Sequence, residues 1–230
     1  MEDCSKKGES EVNIFPVPLS SETIKENMSI STNSKGKLSK EQIIHQAFKF
    51  HSKGNISEAV KYYQQFIDQE FEDHKVFSNY GVILKNLGNL KEAEILYRKA
   101  INLNPNFADA HYNLGSILIE LGNVKEAEIS YRKSIEFNPN FGNAHYNLGN
   151  TLKVLGKLQE AEISFRKAIE LNPDFAKAHC NLGSILIDLG NLQEAEILTR
   201  KAIELKPDFA DAYSNLGNIL SGLGNLQEAE

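Results

Sequence analysis

Apolar residues recur at helical spacing along most of this chain, and one stretch shows the pattern clearly. Between Ala108 and Leu121 the apolar side chains fall three or four residues apart, as they do on one face of an amphipathic helix. Gly122 then breaks the pattern, because glycine suits the left-handed turn that ends many helices. A second helix is predicted from Asn123, since an asparagine followed three residues later by Glu126 is an N-terminal capping signature. The stretch therefore predicts two helices joined by a short turn.

The same pattern returns every 34 residues. A fixed period of this length is typical of a chain that stacks one supersecondary unit, in which each unit packs on its neighbours. With the glycine of the recurrent Leu-Gly pair set as position 8, the predicted units are 40–73, 74–107, 108–141, 142–175, 176–209 and the incomplete 210–230. Residues 1–39 contain no part of the repeat and are rich in polar residues, which predicts a disordered N-terminal leader.

Three positions of the unit keep one residue type in most repeats. Position 8 is Gly81, Gly115, Gly149, Gly183 and Gly217, and position 20 is Ala59, Ala93, Ala127, Ala161, Ala195 and Ala229. Position 32 is Pro105, Pro139, Pro173 and Pro207. Small residues at positions 8 and 20 predict a close approach of the two helices, and each proline predicts the end of a second helix. The residues after the prolines are expected to cap the next first helix, and they are Asn106, Asn140, Asp174 and Asp208.

This combination of unit length, glycine, alanine and proline resembles the tetratricopeptide repeat found in bacterial repeat arrays. The resemblance covers residues 40–230. It implies an all-α fold, a right-handed α-solenoid of stacked helix–turn–helix repeats. It also implies a protein-interaction scaffold without a cofactor, whose first helices line a concave groove. Positions 2, 5, 6, 9, 12 and 13 of the repeat would face that groove.

Position 6 of the expected groove is an asparagine in five successive units, namely Asn79, Asn113, Asn147, Asn181 and Asn215. An asparagine amide can pair with both the N–H and the C=O of a peptide. Such a residue would meet about every third residue of an extended ligand, since helices stack roughly 8–10 Å apart and a peptide advances roughly 3.3 Å per residue. The alternative is that these amides bond to loops or neighbouring helices within the stack. Tyr112 and Tyr146 at position 5 are expected to add apolar contact area with a polar tip.

Two functions remain open on these patterns, beside a purely structural role in self-association through the open end of the stack. The first is a scaffold that holds an extended segment of a protein partner in its groove. The second is the substrate-recruiting part of a longer enzyme with its catalytic region after Glu230, because the asparagine row is similar to that of O-linked N-acetylglucosamine transferases. The unit 210–230 stops early in its second helix. We therefore expect the chain to be a fragment whose open apolar end favours end-to-end self-association.

His111, His145 and His179 share position 4 of consecutive units. Equivalent positions on stacked helices lie roughly 8–10 Å apart, whereas zinc ligands lie about 2 Å from the ion. We therefore interpret these histidines as packing residues and predict no metal site. The sequence also contains no glycine-rich phosphate loop and no nucleophile elbow, so no catalytic residue is predicted.

Charge and composition exclude several other classes. The net charge of −6 argues against nucleic-acid binding, which requires a basic stripe. Acids precede arginines by four residues at Glu94–Arg98, Glu128–Arg132, Glu162–Arg166 and Glu196–Arg200, which indicates a solvated outer face. Two cysteines, Cys4 and Cys180, provide no disulfide framework. A cytoplasmic protein without membrane contact is expected, because the sequence has no signal-peptide core and no run of 18 apolar residues.

Overall fold

The computed structural model describes residues 38–224. The predicted leader therefore lies almost wholly outside the described residues, and so does Ala229. Within the described range every regular element is a helix, and none of these helices is long and apolar enough to cross a membrane. The helices are α1 (Lys40–Ser52), α2 (Ile56–Asp68), α3 (His74–Asn86), α4 (Leu90–Leu103), α5 (Ala108–Glu120), α6 (Val124–Phe137), α7 (Gly142–Val154), α8 (Leu158–Leu171), α9 (Ala176–Asp188), α10 (Leu192–Leu205) and α11 (Ala210–Leu223). The all-α prediction is confirmed.

The described helices fall into two compact units. The N-terminal unit spans residues 38–103 and contains α1 to α4, and the C-terminal unit spans 104–224 and contains α5 to α11. Within each unit a first helix packs against the second helix that follows it, and that second helix contacts the next first helix. The chain is thus a solenoid of stacked helical hairpins, because each hairpin buries its apolar faces against its neighbours.

The turn inside each hairpin is built around a glycine in the left-handed conformation. Gly122 has φ 80°, a value that strains any residue with a Cβ atom. Its N–H donates to the carbonyl of Ile119 at 3.0 Å, and the N–H of Asn123 donates to the carbonyl of Leu118 at 2.7 Å. These bonds satisfy carbonyl groups that the end of α5 would otherwise leave open.

Position 8 lets a large side chain of the second helix lie directly on the first helix. A Cβ atom at Gly149 would lie 2.7 Å from the ring of Phe165, and one at Gly115 would lie 2.8 Å from the ring of Tyr131. Such distances are too short for any Cβ atom, so the predicted close approach is confirmed. The alanines of position 20 pack in the same interface and are fully buried at Ala59, Ala93, Ala127, Ala161 and Ala195.

The capping predictions are wrong at several helix starts. The first helices of the C-terminal unit follow Phe107, Phe141, Phe175 and Phe209, each one residue beyond the expected caps Asn106, Asn140, Asp174 and Asp208, and no side-chain cap bond forms. Asn123 also makes none, whereas Asn55 accepts from the N–H of Glu58 at 3.3 Å. Packing explains the shift at Phe141, because its ring lies 4.7 Å from that of Tyr112. A partly buried ring holds the helix start there in place of a polar cap.

Candidate peptide-binding groove

The five position-6 asparagines lie near the middle of the first helices. Asn113, Asn147, Asn181 and Asn215 belong to α5, α7, α9 and α11 of the C-terminal unit, and Asn79 has the same place in α3 of the N-terminal unit. Asn181 is buried, with 5% of its surface exposed, and the other four are partly exposed. We call positions 2, 5, 6, 9, 12 and 13 of α5, α7, α9 and α11 the first-helix face.

In the C-terminal unit Asn147, Asn181 and Asn215 point their amide nitrogens at the preceding repeat. The amide nitrogen of Asn147 donates to the hydroxyl of Tyr112 at 3.2 Å, and that of Asn181 donates to the hydroxyl of Tyr146 at 3.2 Å. Asn215 repeats the arrangement less closely, because Cys180 stands where the tyrosine would be. Its amide nitrogen lies 3.5 Å from both the carbonyl oxygen and the sulfur of Cys180. The bond to the preceding repeat is therefore a recurrent link between neighbouring first helices.

This link limits what each asparagine can offer to a ligand. Asn181 also donates to the side-chain carbonyl of Asn150 at 2.7 Å, so both of its N–H groups are used within the stack. It cannot pair with both groups of a peptide, as the sequence pattern predicted. The amide nitrogen of Asn147 donates to Tyr112 at 3.2 Å and also interacts with the hydroxyl of Tyr131, so its carbonyl oxygen is the group it can offer to a partner. The asparagine amides thus bond to neighbouring helices within the stack, which was the alternative to ligand binding. These bonds are compatible with a groove that binds a peptide.

The two predicted tyrosines pack between successive repeats. The ring of Tyr112 lies 4.7 Å from Phe141 and 5.9 Å from Tyr131. The ring of Tyr146 lies 4.6 Å from Phe175, at the start of α9. Burial raises the pKa of Tyr112, and the bond from Asn147 partly offsets this effect. These rings therefore position the asparagines, whatever further area they present to a ligand.

The histidines of position 4 also have a structural role, because each bonds to a backbone carbonyl. Nε2 of His111 lies 2.8 Å from the carbonyl oxygen of Pro105, and His145 and His179 meet the carbonyls of the prolines six residues before them at 2.9 and 2.8 Å. A carbonyl only accepts, so Nε2 carries the hydrogen. Burial lowers the pKa of His145, and the bond to its proline opposes the change. The constant offset of six residues is the sequence signal that could have predicted this bond.

The rest of the first-helix face mixes polar and apolar groups. Lys153 at position 12 donates to the hydroxyl of Ser184 at 3.1 Å, and Val154 beside it is 65% exposed. Ile119 at position 12 of α5 is 38% exposed. Burial raises the pKa of Asp109 at position 2. Such a surface suits a ligand that has both backbone polar groups and apolar side chains.

A metal site is not found in the part of the chain that the structure describes. No cluster of three or more His, Cys, Asp or Glu side chains there could hold a metal ion.

Stacked helical hairpins of this kind define a class of repeat scaffolds. Models described as "Tetratricopeptide repeat" match residues 108–141 and 142–175, and 164–197 and 198–230, and a "TPR repeat" model matches residues 81–122. The chain belongs to the tetratricopeptide repeat family. It is therefore a protein–protein interaction scaffold in its general character. No curated protein matches it.

Solved structures agree with this assignment. YrrB, described as a TPR protein with an unusual peptide-binding site, is 28% identical with a TM-score of 0.66, and the alignment covers 73% of this chain and 86% of YrrB. MamA is 28% identical with a TM-score of 0.62, and the alignment covers 65% of this chain and 87% of MamA. PilF of Pseudomonas aeruginosa is 16% identical with a TM-score of 0.71, and the alignment covers 83% of this chain and 86% of PilF. At this identity the likeness shows a shared fold only.

Proposed function

We propose that this chain binds an extended peptide segment of a partner protein along the first-helix face. The observation that carries the proposal is the geometry of Asn147. Its amide nitrogen is bonded to Tyr112 at 3.2 Å, and its carbonyl oxygen is left to accept from a peptide N–H. Asn113, Asn181 and Asn215 hold the same position in the neighbouring repeats, so acceptors recur along the face at the spacing of the stack.

The bonds within the stack favour binding because they fix the asparagines before a ligand arrives. A side chain that is already held loses little rotamer freedom when it accepts a hydrogen bond, and ordering a free side chain costs roughly 0.5–1.5 kcal/mol. Asn181 is the clearest case, since Tyr146 and Asn150 hold both of its N–H groups. The peptide-binding site named for YrrB supports a peptide ligand for this chain as well.

The test begins with a peptide selected from a random-sequence library on the full chain. We expect the triple variant Asn113→Ala, Asn147→Ala, Asn181→Ala to bind it more weakly by about 1.5–4.5 kcal/mol in total, because each lost hydrogen bond contributes roughly 0.5–1.5 kcal/mol. The same variant loses the bonds to Tyr112 and Tyr146, so a lower melting temperature is expected as well. Binding is therefore measured by calorimetry at a temperature where circular dichroism shows both proteins folded.

The matched control is the double variant Tyr112→Phe, Tyr146→Phe. It removes the hydroxyl partners within the stack and keeps every asparagine, so it separates the two roles. We expect it to lose stability and to lose less affinity than the asparagine variant, because the asparagines are kept but the hydroxyls no longer hold them in place. Equal affinity of the wild type and the asparagine variant, with both proteins folded, would show that the asparagines serve the stack only.

The second hypothesis, a substrate-recruiting region of a glycosyltransferase, rests on the position-6 row. That row is a stack link between Asn147 and Tyr112 and between Asn181 and Tyr146, a role that needs no enzyme. The hypothesis is tested by reading the coding sequence beyond Glu230. A glycosyltransferase region there would favour it, and a capping helix followed by a stop codon would favour the scaffold alone.

A further inference from the structure

A row of isoleucines stands exposed on the second helices. Position 22 is Ile129 in α6, Ile163 in α8 and Ile197 in α10, with 61%, 69% and 69% of their surface exposed. We call these three residues the isoleucine row. Ile95 has the same place in α4 of the N-terminal unit and is 55% exposed. Single exposed apolar residues are ordinary on protein surfaces, but here the same large residue recurs at one register position of successive repeats.

The helix register explains why the row faces outward. In α8 the side chains of Ala161, Phe165 and Ala168 are fully buried against the neighbouring helices. Ile163 follows Ala161 by two residues, which turns it about 200° around the helix axis, to the opposite side. The hairpin core therefore does not use Ile163.

The charges beside the row are paired within the chain. Arg166 lies three residues after Ile163 on the same helix face, and it bonds to Glu162 at 2.8 Å and to Glu194 of the next repeat at 2.7 Å. Lys167 pairs with Glu170 at 2.6 Å. The predicted solvated ion pairs are thus present, and Arg166 also connects adjacent repeats.

The net field of this surface is consequently weak. Helix α6 carries three basic and three acidic side chains, and α8 and α10 each carry two basic and three acidic ones. A strongly charged partner finds no complementary potential here. Two copies of this surface, in contrast, meet without large like-charge repulsion, which is a requirement for any interface that pairs a surface with itself.

We propose that the isoleucine row is a self-association surface, and that its partner is the isoleucine row of a second copy of this chain. A periodic surface fits best against one of the same period. A second copy has that period by construction, so its isoleucines can pack between those of the first along the whole row. The pairing is isologous, in which each copy contributes the same residues.

The size of the surface sets the expected strength. Three isoleucines and their neighbours bury less than the roughly 800 Å² per partner of a standard interface. We therefore expect a dimer with a dissociation constant on the order of 10–100 μM, which corresponds to roughly 5.5–7 kcal/mol. Such a dimer forms at high local concentration and leaves the first-helix face free for a peptide.

Sedimentation equilibrium of the full chain, from micromolar to millimolar concentration, tests the proposal. The variant Ile129→Gln, Ile163→Gln, Ile197→Gln removes the apolar row without adding charge, and glutamine is at least as good a helix former as isoleucine. We expect its dimerisation to weaken at least about tenfold, a loss of roughly 1.4 kcal/mol. The control is Val154→Gln, which removes a side chain of similar exposure, 65%, from the first helix α7. This control should dimerise like the wild type, and circular dichroism should show the same helicity in all three proteins.

Three results would overturn the proposal. A wild type that stays monomeric at millimolar concentration means that the row serves another partner or none. Unchanged association of the triple glutamine variant means that another surface, such as the open end of the stack, is responsible. Loss of association in Val154→Gln assigns it to the first-helix face. Peptide binding by the triple variant is measured in parallel, so failure of this proposal and failure of the proposed function are distinguished.

Discussion

The repeats 142–175 and 176–209 share one backbone plan and fill it with different side chains. In the first, Phe165 packs on Gly149, and its ring lies 5.9 Å from that of Tyr146. In the second, Thr199 stands against Gly183. Thr199 is fully buried, and its hydroxyl has no hydrogen-bond partner among the described residues. The two helices of the hairpin thus pack through an aromatic pair in repeat 142–175 and without an aromatic pair in repeat 176–209.

The link to the following repeat differs in the same way. Asn181 reaches the hydroxyl of Tyr146 at 3.2 Å, whereas Asn215 lies 3.5 Å from the sulfur of Cys180. Glycine at position 8 and alanine at position 20 are unchanged in both repeats. The comparison teaches that small residues set the hairpin geometry, and that the aromatic and amide contacts add stability within that geometry.

The largest effect is expected when the fourth repeat is given the side chain of the fifth. Phe165→Thr removes a fully buried ring and should cost about 3–5 kcal/mol, as large-to-small core substitutions of phenylalanine do. Urea denaturation followed by circular dichroism measures the loss. Thr199→Ala serves as the control, because it removes few buried atoms and an unpaired hydroxyl. A cost below about 1 kcal/mol for Phe165→Thr would fall outside the range for buried rings and show that the hairpin relaxes around the gap.

A smaller difference is expected at position 8. The new Cβ of Gly149→Ala meets three ring atoms of Phe165 at 2.7–2.9 Å. That of Gly183→Ala meets one side-chain atom closely, the hydroxyl oxygen of Thr199 at 2.6 Å, and its next neighbour is the carbonyl oxygen of Ala195 at 3.4 Å. Overpacking costs roughly 1–3 kcal/mol, and replacing a helical glycine by alanine returns up to about 1 kcal/mol. We expect Gly149→Ala to be destabilising and Gly183→Ala to be less so.

The same measurement in the Phe165→Thr background sharpens this prediction. If the ring causes the clash, the cost of Gly149→Ala falls toward that of Gly183→Ala once the ring is gone. Equal costs of Gly149→Ala with and without the ring would point to a backbone cause.

The smallest effect concerns the links between first helices. Asn181→Ala loses two bonds, at 3.2 and 2.7 Å, and should cost about 1–3 kcal/mol. Asn215→Ala loses only contacts at 3.5 Å and should cost less than about 0.5 kcal/mol. Thermal denaturation of the two single variants gives the comparison. A larger cost at Asn215 than at Asn181 would contradict the assignment of the link to the tyrosine hydroxyl.

The fold could be predicted from the sequence because its determinants are local and repeated. Gly122 and its equivalents end helices through their own φ angle, and helical spacing of apolar residues identifies both helices of a hairpin. The caps were less predictable, since a ring such as Phe141 holds the helix start through a contact with Tyr112, 29 positions earlier in the chain. Local propensity does not report contacts of that kind.

The candidate site also has features that the sequence predicts and features that depend on tertiary packing. The sequence by itself determined that an asparagine occurs once per repeat and that the repeats stack. Only the tertiary structure decided that both N–H groups of Asn181 donate to residues within the stack. The same holds for the bonds from the histidines to proline carbonyls and for the ion pair between Arg166 and Glu194. The tertiary structure also decided that Ile163 faces solvent while Phe165, two residues later, is buried. The physical reason is that these outcomes depend on which atoms the packed helices bring within hydrogen-bonding or van der Waals distance, and that choice is made by the packing of whole repeats.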